Sequence, residues 1–104
     1  MPKRVKFLMR MINNDYMDDM ELIGEVMRIF PEEKFIKVSL SKKIKLGETI
    51  IIKNGEIEIK NRVERLSIHS INIKEGFEGD MVEIGINNKE DIENIESDNK
   101  VYKL

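Results

Sequence analysis

From Leu22 onward, apolar residues recur at every second position in short runs separated by turn formers, the period of half-buried β-strands. The runs are "LIGEVMRIF" (22–30), "KFIKVSL" (34–40), "ETIIIK" (48–53), "EIEIK" (56–60), "RVERLSIH" (62–69), "DMVEIGI" (80–86) and "KVYKL" (100–104). Within them Ile36, Val38 and Leu40 share one face, as do Ile57 and Ile59, and Val82, Ile84 and Ile86. Pro31 with Glu32 and Glu33 supplies the first turn, and Asn54-Gly55 predicts a two-residue hairpin with both residues at positive φ. "NNKEDIENIESDN" (87–99) breaks the alternation and predicts one helical turn capped by Asn88, with Asp91 near the third position and Ile92 and Ile95 buried.

One run resists a simple reading. Ile50, Ile51 and Ile52 in "IKLGETIII" (44–52) point to both faces of one strand, so both need cover. A barrel interior takes Ile50 and Ile52. The helical turn at 89–96 or an N-terminal segment would then lie over Ile51. The expected fold is therefore all-β: a small antiparallel barrel of six or seven strands, Greek-key in type, over residues 22–104. Its interior should hold Val26, Val38, Leu40, Ile50, Ile52, Val63, Val82 and Ile84.

Residues 1–21 read differently. Five of the seven methionines fall in the first twenty residues. Val5, Phe7, Met9 and Met11 alternate like a strand, while Val5, Leu8, Met9 and Ile12 fit a helical face. This stretch is either an N-terminal arm or the product of a start placed upstream of a native Met17 or Met20. In both cases the barrel should fold without residues 1–19.

Composition narrows the chemistry. With no cysteine there is no disulfide, thiol nucleophile or thiolate metal site, which suits a reducing, cytoplasmic setting. A net charge of −2 gives no large attraction to nucleic acid. No apolar run approaches the ~20 residues that span a bilayer. "MPKRVKFLMRMI" is basic then apolar, but Lys6 and Arg10 interrupt it and no small-residue cleavage site follows.

Four stretches together resemble the second, β-barrel domain of translational GTPases such as elongation factor Tu. They are "IGEV" (23–26), "IKLGETIII" (44–52), "RVERLSI" (62–68) and "GFEGDMVEIGI" (76–86). The ending "IESDNKVYKL" is similar to the family's closing strand, with Asp98-Asn99 where Gly-Asp is usual; both residues tolerate the left-handed region. In length and pattern, small stand-alone archaeal elongation-factor-like proteins and the terminal barrels of some collagenase-like peptidases are similar. The resemblance implies a translation-protein barrel in which Gly47 and Gly79 make tight turns, with Glu48 and Asp80 bonding nearby backbone. It brings no GTPase, because the chain lacks G-x-x-x-x-G-K-[ST]. Glu64 matches a family glutamate, whereas Leu66 and Met81 stand where that factor presents polar side chains to aminoacyl-tRNA.

Candidate chemistry is sparse. His69 is the one histidine and has no ligand partners at metal spacing. The carboxylates Glu90, Asp91, Glu93, Glu96 and Asp98 lack the pattern of a calcium loop. Lys42, Lys43 and Lys45 form a basic turn, and Arg62, Glu64 and Arg65 lie on a nearby strand; that set is the candidate binding edge. The expectation is a non-catalytic accessory protein, translation- or RNA-associated, with ribosomal RNA or tRNA as partner. The alternative is a subunit that uses the barrel as scaffold in a protein complex. No enzyme activity, cofactor, nucleotide, metal or membrane is expected.

Overall fold

The structure is a computed structural model and describes residues 20–104. Ten strands occur among the described residues: β1 (Glu21–Phe30), β2 (Phe35–Leu40), β3 (Ile44–Lys45), β4 (Thr49–Asn54), β5 (Ile57–Arg62), β6 (Leu66–Ile68), β7 (Ile71–Asn72), β8 (Glu75–Gly76), β9 (Met81–Gly85) and β10 (Lys100–Lys103). A helical turn, α1 (Lys89–Ile92), precedes β10. Eight strands form one antiparallel sheet in the order β5-β4-β10-β1-β2-β9-β6-β7, and β3 pairs with β8 as a separate ribbon.

The all-β antiparallel class follows from the alternation. All eight residues expected inside are buried, joined by Ile23, Ile36, Ile44, Leu66, Ile86 and Val101. Two details differ from the expectation. The strands outnumber six or seven because "RVERLSIH" is divided: Arg62 ends β5, residues 63–65 turn a corner, and Leu66 opens β6 on the far side of the sheet. Val63 and Leu66 are both buried with exposed Glu64 and Arg65 between them, so the alternation slips by one residue at that corner.

The second difference is the seam. The ladder ends at β5 and β7. Side-chain amides, rather than strand pairing, tie the β5 end of the sheet back to the β9 end. Buried Asn61 donates from Nδ2 to Gly85 O (3.0 Å), and its Oδ1 accepts the Asn87 N–H (3.0 Å). Asn87 Nδ2 donates in turn to Arg62 O (2.9 Å). A buried amide with both ends used in this way can hold the edges of a curled sheet together without a ladder.

Strand β1 carries two bulges. Ile23 is the extra residue opposite β10, and Met27 the extra residue opposite β2. Each resets the inward-outward phase. Gly24 sits in the tight crossing between them; a Cβ there would stand 2.6 Å from Ser39 O.

The turns explain themselves locally. Gly47 (φ +95°) and Gly79 (φ +92°) adopt left-handed backbone. Glu48 accepts the Lys45 N–H (2.7 Å) and Asp80 the Phe77 N–H (2.8 Å), as the turn reading required. Asp98 takes φ +76° in place of a glycine. Asn88 caps α1 by accepting the Glu90 N–H (2.9 Å), and Ile92 and Ile95 enter the core. The β4–β5 hairpin is offset by one residue. Asn54 pairs with Ile57, so the loop residues are Gly55 and Glu56, and only Gly55 has positive φ. This glycine-first loop has the sequence preference of a type II′ turn.

Ile51 is 2% exposed yet lies outside the cluster that unites Ile50 and Ile52 with Ile92 and Ile95. The helical turn therefore packs on the interior side and leaves Ile51 to its in-register neighbours Tyr102 and Lys60. Residues 1–19, the other cover expected for Ile51, lie outside the described residues.

Candidate functional site

The basic turn and its neighbouring strand are partly brought together. Lys42, Lys43 and Lys45 are exposed. The Gly47 turn docks on the end of β5 through Gly47 N–H to Val63 O (2.7 Å) and Val63 N–H to Glu48 O (2.8 Å). This sets exposed Arg62 beside the turn, its guanidinium 3.9 Å from where a Cβ on Gly47 would stand. The rim is mixed in charge. Lys42 pairs with Glu21 (3.7 Å), and Lys103 lies 3.9 Å from Glu21 and 3.7 Å from Glu48. Such exposed pairs contribute little each and largely cancel the field of the lysines. Glu64 is exposed in the corner after β5. Arg65 is elsewhere: it lies over Gly85 and donates to Lys34 O, at the opposite end of β2 from Lys42. There it ties the β1–β2 loop to the corner before β6.

A different face carries exposed apolar side chains. The bulges of β1 turn Leu22 and Met27 outward, at 45% and 47% exposed. With Gly24, Glu25, Ser39 and Lys100 they line a groove of about 300 Å³. Ser39 stands in register between Glu25 on β1 and Met81 on β9, and Met81 is 42% exposed. Lys100 Nζ bonds Glu25 (3.1 Å) and holds its carboxyl below the usual value. The groove thus has apolar walls and one fixed pair of opposite charges. The sequence reading missed it, because Leu22 and Met27 were counted only as strand residues. The available signal was that no single alternation turns both Ile23 and Val26 inward, so the strand must slip phase between them.

A second cluster lies at the β6–β7 hairpin. Its two loop residues, His69 (φ +52°) and Ser70 (φ +68°), both occupy left-handed backbone. Side chains other than glycine or asparagine seldom fill both positions of such a turn. Glu83 steadies it by accepting from Ser67 Oγ (2.6 Å) and Ser70 N (3.1 Å). The Ser67 hydroxyl above all, then the Ser70 amide and the charges of Lys37 and His69, hold the Glu83 carboxyl below its ordinary value despite partial burial. Among the described residues no group of three or more His, Asp or Glu side chains is placed to hold a metal ion. No helix among them is long and apolar enough to cross a membrane.

The fold has solved counterparts. The C-terminal domain of a Geobacillus thermoleovorans protein assigned as a U32 peptidase superposes with a TM-score of 0.69 at 15% identity, over 81% of this chain and 92% of that domain. The selenomethionine form of the same domain gives 0.67 at 14%, over 78% and 96%. At these identities the likeness is one of fold. No protein-family model matches the chain, and no curated protein matches it.

These neighbours correct the reading drawn from the resemblance. They are the terminal domain of a peptidase, not the second domain of a translation factor. The assignment to translational GTPase barrels is withdrawn, and with it the translation- or RNA-associated, elongation-factor-like function. The physical reason lies in what the matching residues do. Gly47, Gly79, Glu48 and Asp80 satisfy two tight turns, and the isoleucines fill a core. Those demands come from the curled sheet itself, so the motifs report turn geometry rather than partner.

Proposed function

We propose that this chain is a non-catalytic accessory β-module of the kind joined to peptidases, and that it binds an extended polypeptide segment. Two things support the reading: its likeness to the C-terminal domain of a U32 peptidase, and the groove. The observation that carries it is the trio Leu22, Met27 and Met81, apolar and exposed, with Leu22 and Met27 lining the groove beside Ser39 and Met81 in register with Ser39. Contiguous apolar surface rimmed by charge is a usual mark of a binding face. Leaving such side chains half exposed forgoes about 1 kcal/mol or more each, which a bound chain recovers. The cysteine-free composition suits action in the reducing cytoplasm.

The test is fluorescence anisotropy with a labelled twelve-residue peptide of alternating leucine and lysine, titrated with the full chain. Saturable binding is expected, weakened roughly tenfold by Met27→Glu, a loss of about 1.4 kcal/mol. Equal binding by the wild type and Met27→Glu, or none by either, overturns the reading.

A further inference from the structure

Strand β5 ends the sheet, and one side of its backbone meets no other strand. Neighbouring bonds fix its phase. Val63 N–H donates to Glu48 O (2.8 Å), and the register with β4 continues unbroken to Ile57. Odd-numbered residues of β5 therefore exchange bonds with β4, and even-numbered ones turn N–H and C=O outward. The Arg62 carbonyl agrees, since it points away from β4 to accept the Asn87 amide (2.9 Å). The seam takes only that end of the edge. Among the described residues nothing bonds the outward backbone of Glu58 or Lys60, and both residues are exposed. An open row of this kind is a template for another strand.

The side chains select the strand. From the turn onward the edge reads "EIEIKNR" (56–62), acidic first and basic last. An antiparallel copy centred on Ile59 sets Glu56 opposite Arg62 and Glu58 opposite Lys60, each twice by symmetry. The same centre joins the outward N–H and C=O of Glu58 to those of Lys60. The adjoining registers, centred on Glu58 or on Lys60, put like charges face to face at the axis. A charged edge ordinarily keeps copies apart, but this one admits a copy in one register. Glu56, Lys60 and Arg62 enter no ion pair among the described residues. Glu58 already lies 3.3 Å from Lys53 through Oε2, so Glu56 with Arg62 carries most of the charge match. We propose that two copies of this chain pair antiparallel along β5, about a two-fold axis at Ile59. The groove lies on β1, β2 and β10, so the pairing does not depend on it.

Sedimentation velocity of the full chain, from about 10 µM to about 1 mM, should show the reversible monomer–dimer exchange of a small interface. Glu56→Lys with Glu58→Lys makes the edge wholly basic, and Lys60→Glu with Arg62→Glu makes it wholly acidic. All four side chains are exposed, so both double variants should melt near the wild type. Each alone should associate about tenfold or more weakly than the wild type, because opposite pairs become like pairs. An equimolar mixture of the two should recover dimers holding one copy of each. In the wild type, hydrogen exchange at the Glu58 and Lys60 amides should slow as concentration rises, while that of Ile71 at the other end of the sheet should not. A wild type that stays monomeric throughout overturns the inference. So do dimers that both variants form as well as the wild type, and dimers that leave exchange at Glu58 and Lys60 unchanged.

Discussion

Replacing Asn61 by leucine removes the pin between the two ends of the sheet while keeping side-chain size nearly constant. The residue is 3% exposed and makes three contacts: Nδ2 to Gly85 O at 3.0 Å, Nδ2 to Arg62 O at 3.2 Å, and Oδ1 from Asn87 N–H at 3.0 Å. The leucine leaves the Asn87 N–H and Gly85 carbonyl without this partner. An orphaned buried group costs about 1–3 kcal/mol, so the pin as a whole is worth about 3 kcal/mol. For a domain of this size that lowers Tm by about 12–24 °C. Asn61→Asp separates the parts of this effect. It retains the acceptor for Asn87 but turns a carboxylate toward the Gly85 and Arg62 carbonyls. Its folded-state pKa is then raised above the unfolded value of about 3.9. The carboxyl's contribution is present in full below the unfolded value and is lost as pH rises through the folded one. The aspartate variant should accordingly be more stable near pH 4 than at pH 7. Urea unfolding of the three proteins at both pH values is the assay. An Asn61→Leu variant within about 0.5 kcal/mol of wild type would refute the seam argument, since surface changes are of that size.

Other expectations follow from the hairpins and the basic rim. Glu83 has a lowered folded-state pKa, so its contribution exists above the ordinary value of 4.5 and is lost as pH falls through the lowered one. Glu83→Gln should flatten the acid limb of the stability profile and speed hydrogen exchange at the Ser70 amide. Changing His69-Ser70 to Asn-Gly suits the doubly left-handed turn and should stabilise by about 1 kcal/mol in thermal unfolding. Reversing Lys43 and Lys45 to glutamate should leave probe-peptide affinity within about twofold, because neither lines the groove, which the rim meets only at Ser41 and Lys42. A large loss of affinity would place binding on that rim.

The interior was legible in the sequence because alternation reports facing. Ile36, Val38, Leu40, Val82 and Ile84 share the phase of a buried face, and all are buried. Turn chemistry was legible for a similar reason: Gly47, Gly79 and Asp98 are among the few residue types that accept left-handed backbone. What alternation cannot report is which strand lies alongside. The side-chain seam was therefore hidden, whereas the corner at residues 63–65 left a trace in the slip of phase between Val63 and Leu66. Asn61 did leave a trace, being polar in the same phase as the buried Ile59. The groove was hidden by the two bulges of β1, each a single extra residue that depends on the partner strand's register rather than on local sequence. Arg65 belongs to the candidate basic edge in sequence but not in space. Its side chain fills the space over Gly85 and bonds Lys34 O, contacts set twenty and thirty-one positions away along the chain.

The claim that this sheet face binds polypeptide is tested most directly by mapping the bound probe on the full chain. In ¹H–¹⁵N spectra recorded during a titration with the leucine–lysine peptide, the moving signals should cluster at Leu22, Glu25, Met27, Ser39 and Met81. Lys43, Lys45 and Arg62 should stay in place. Shifts confined to that lysine rim, or no shifts up to millimolar peptide, which corresponds to only about 4 kcal/mol of binding, would contradict the account.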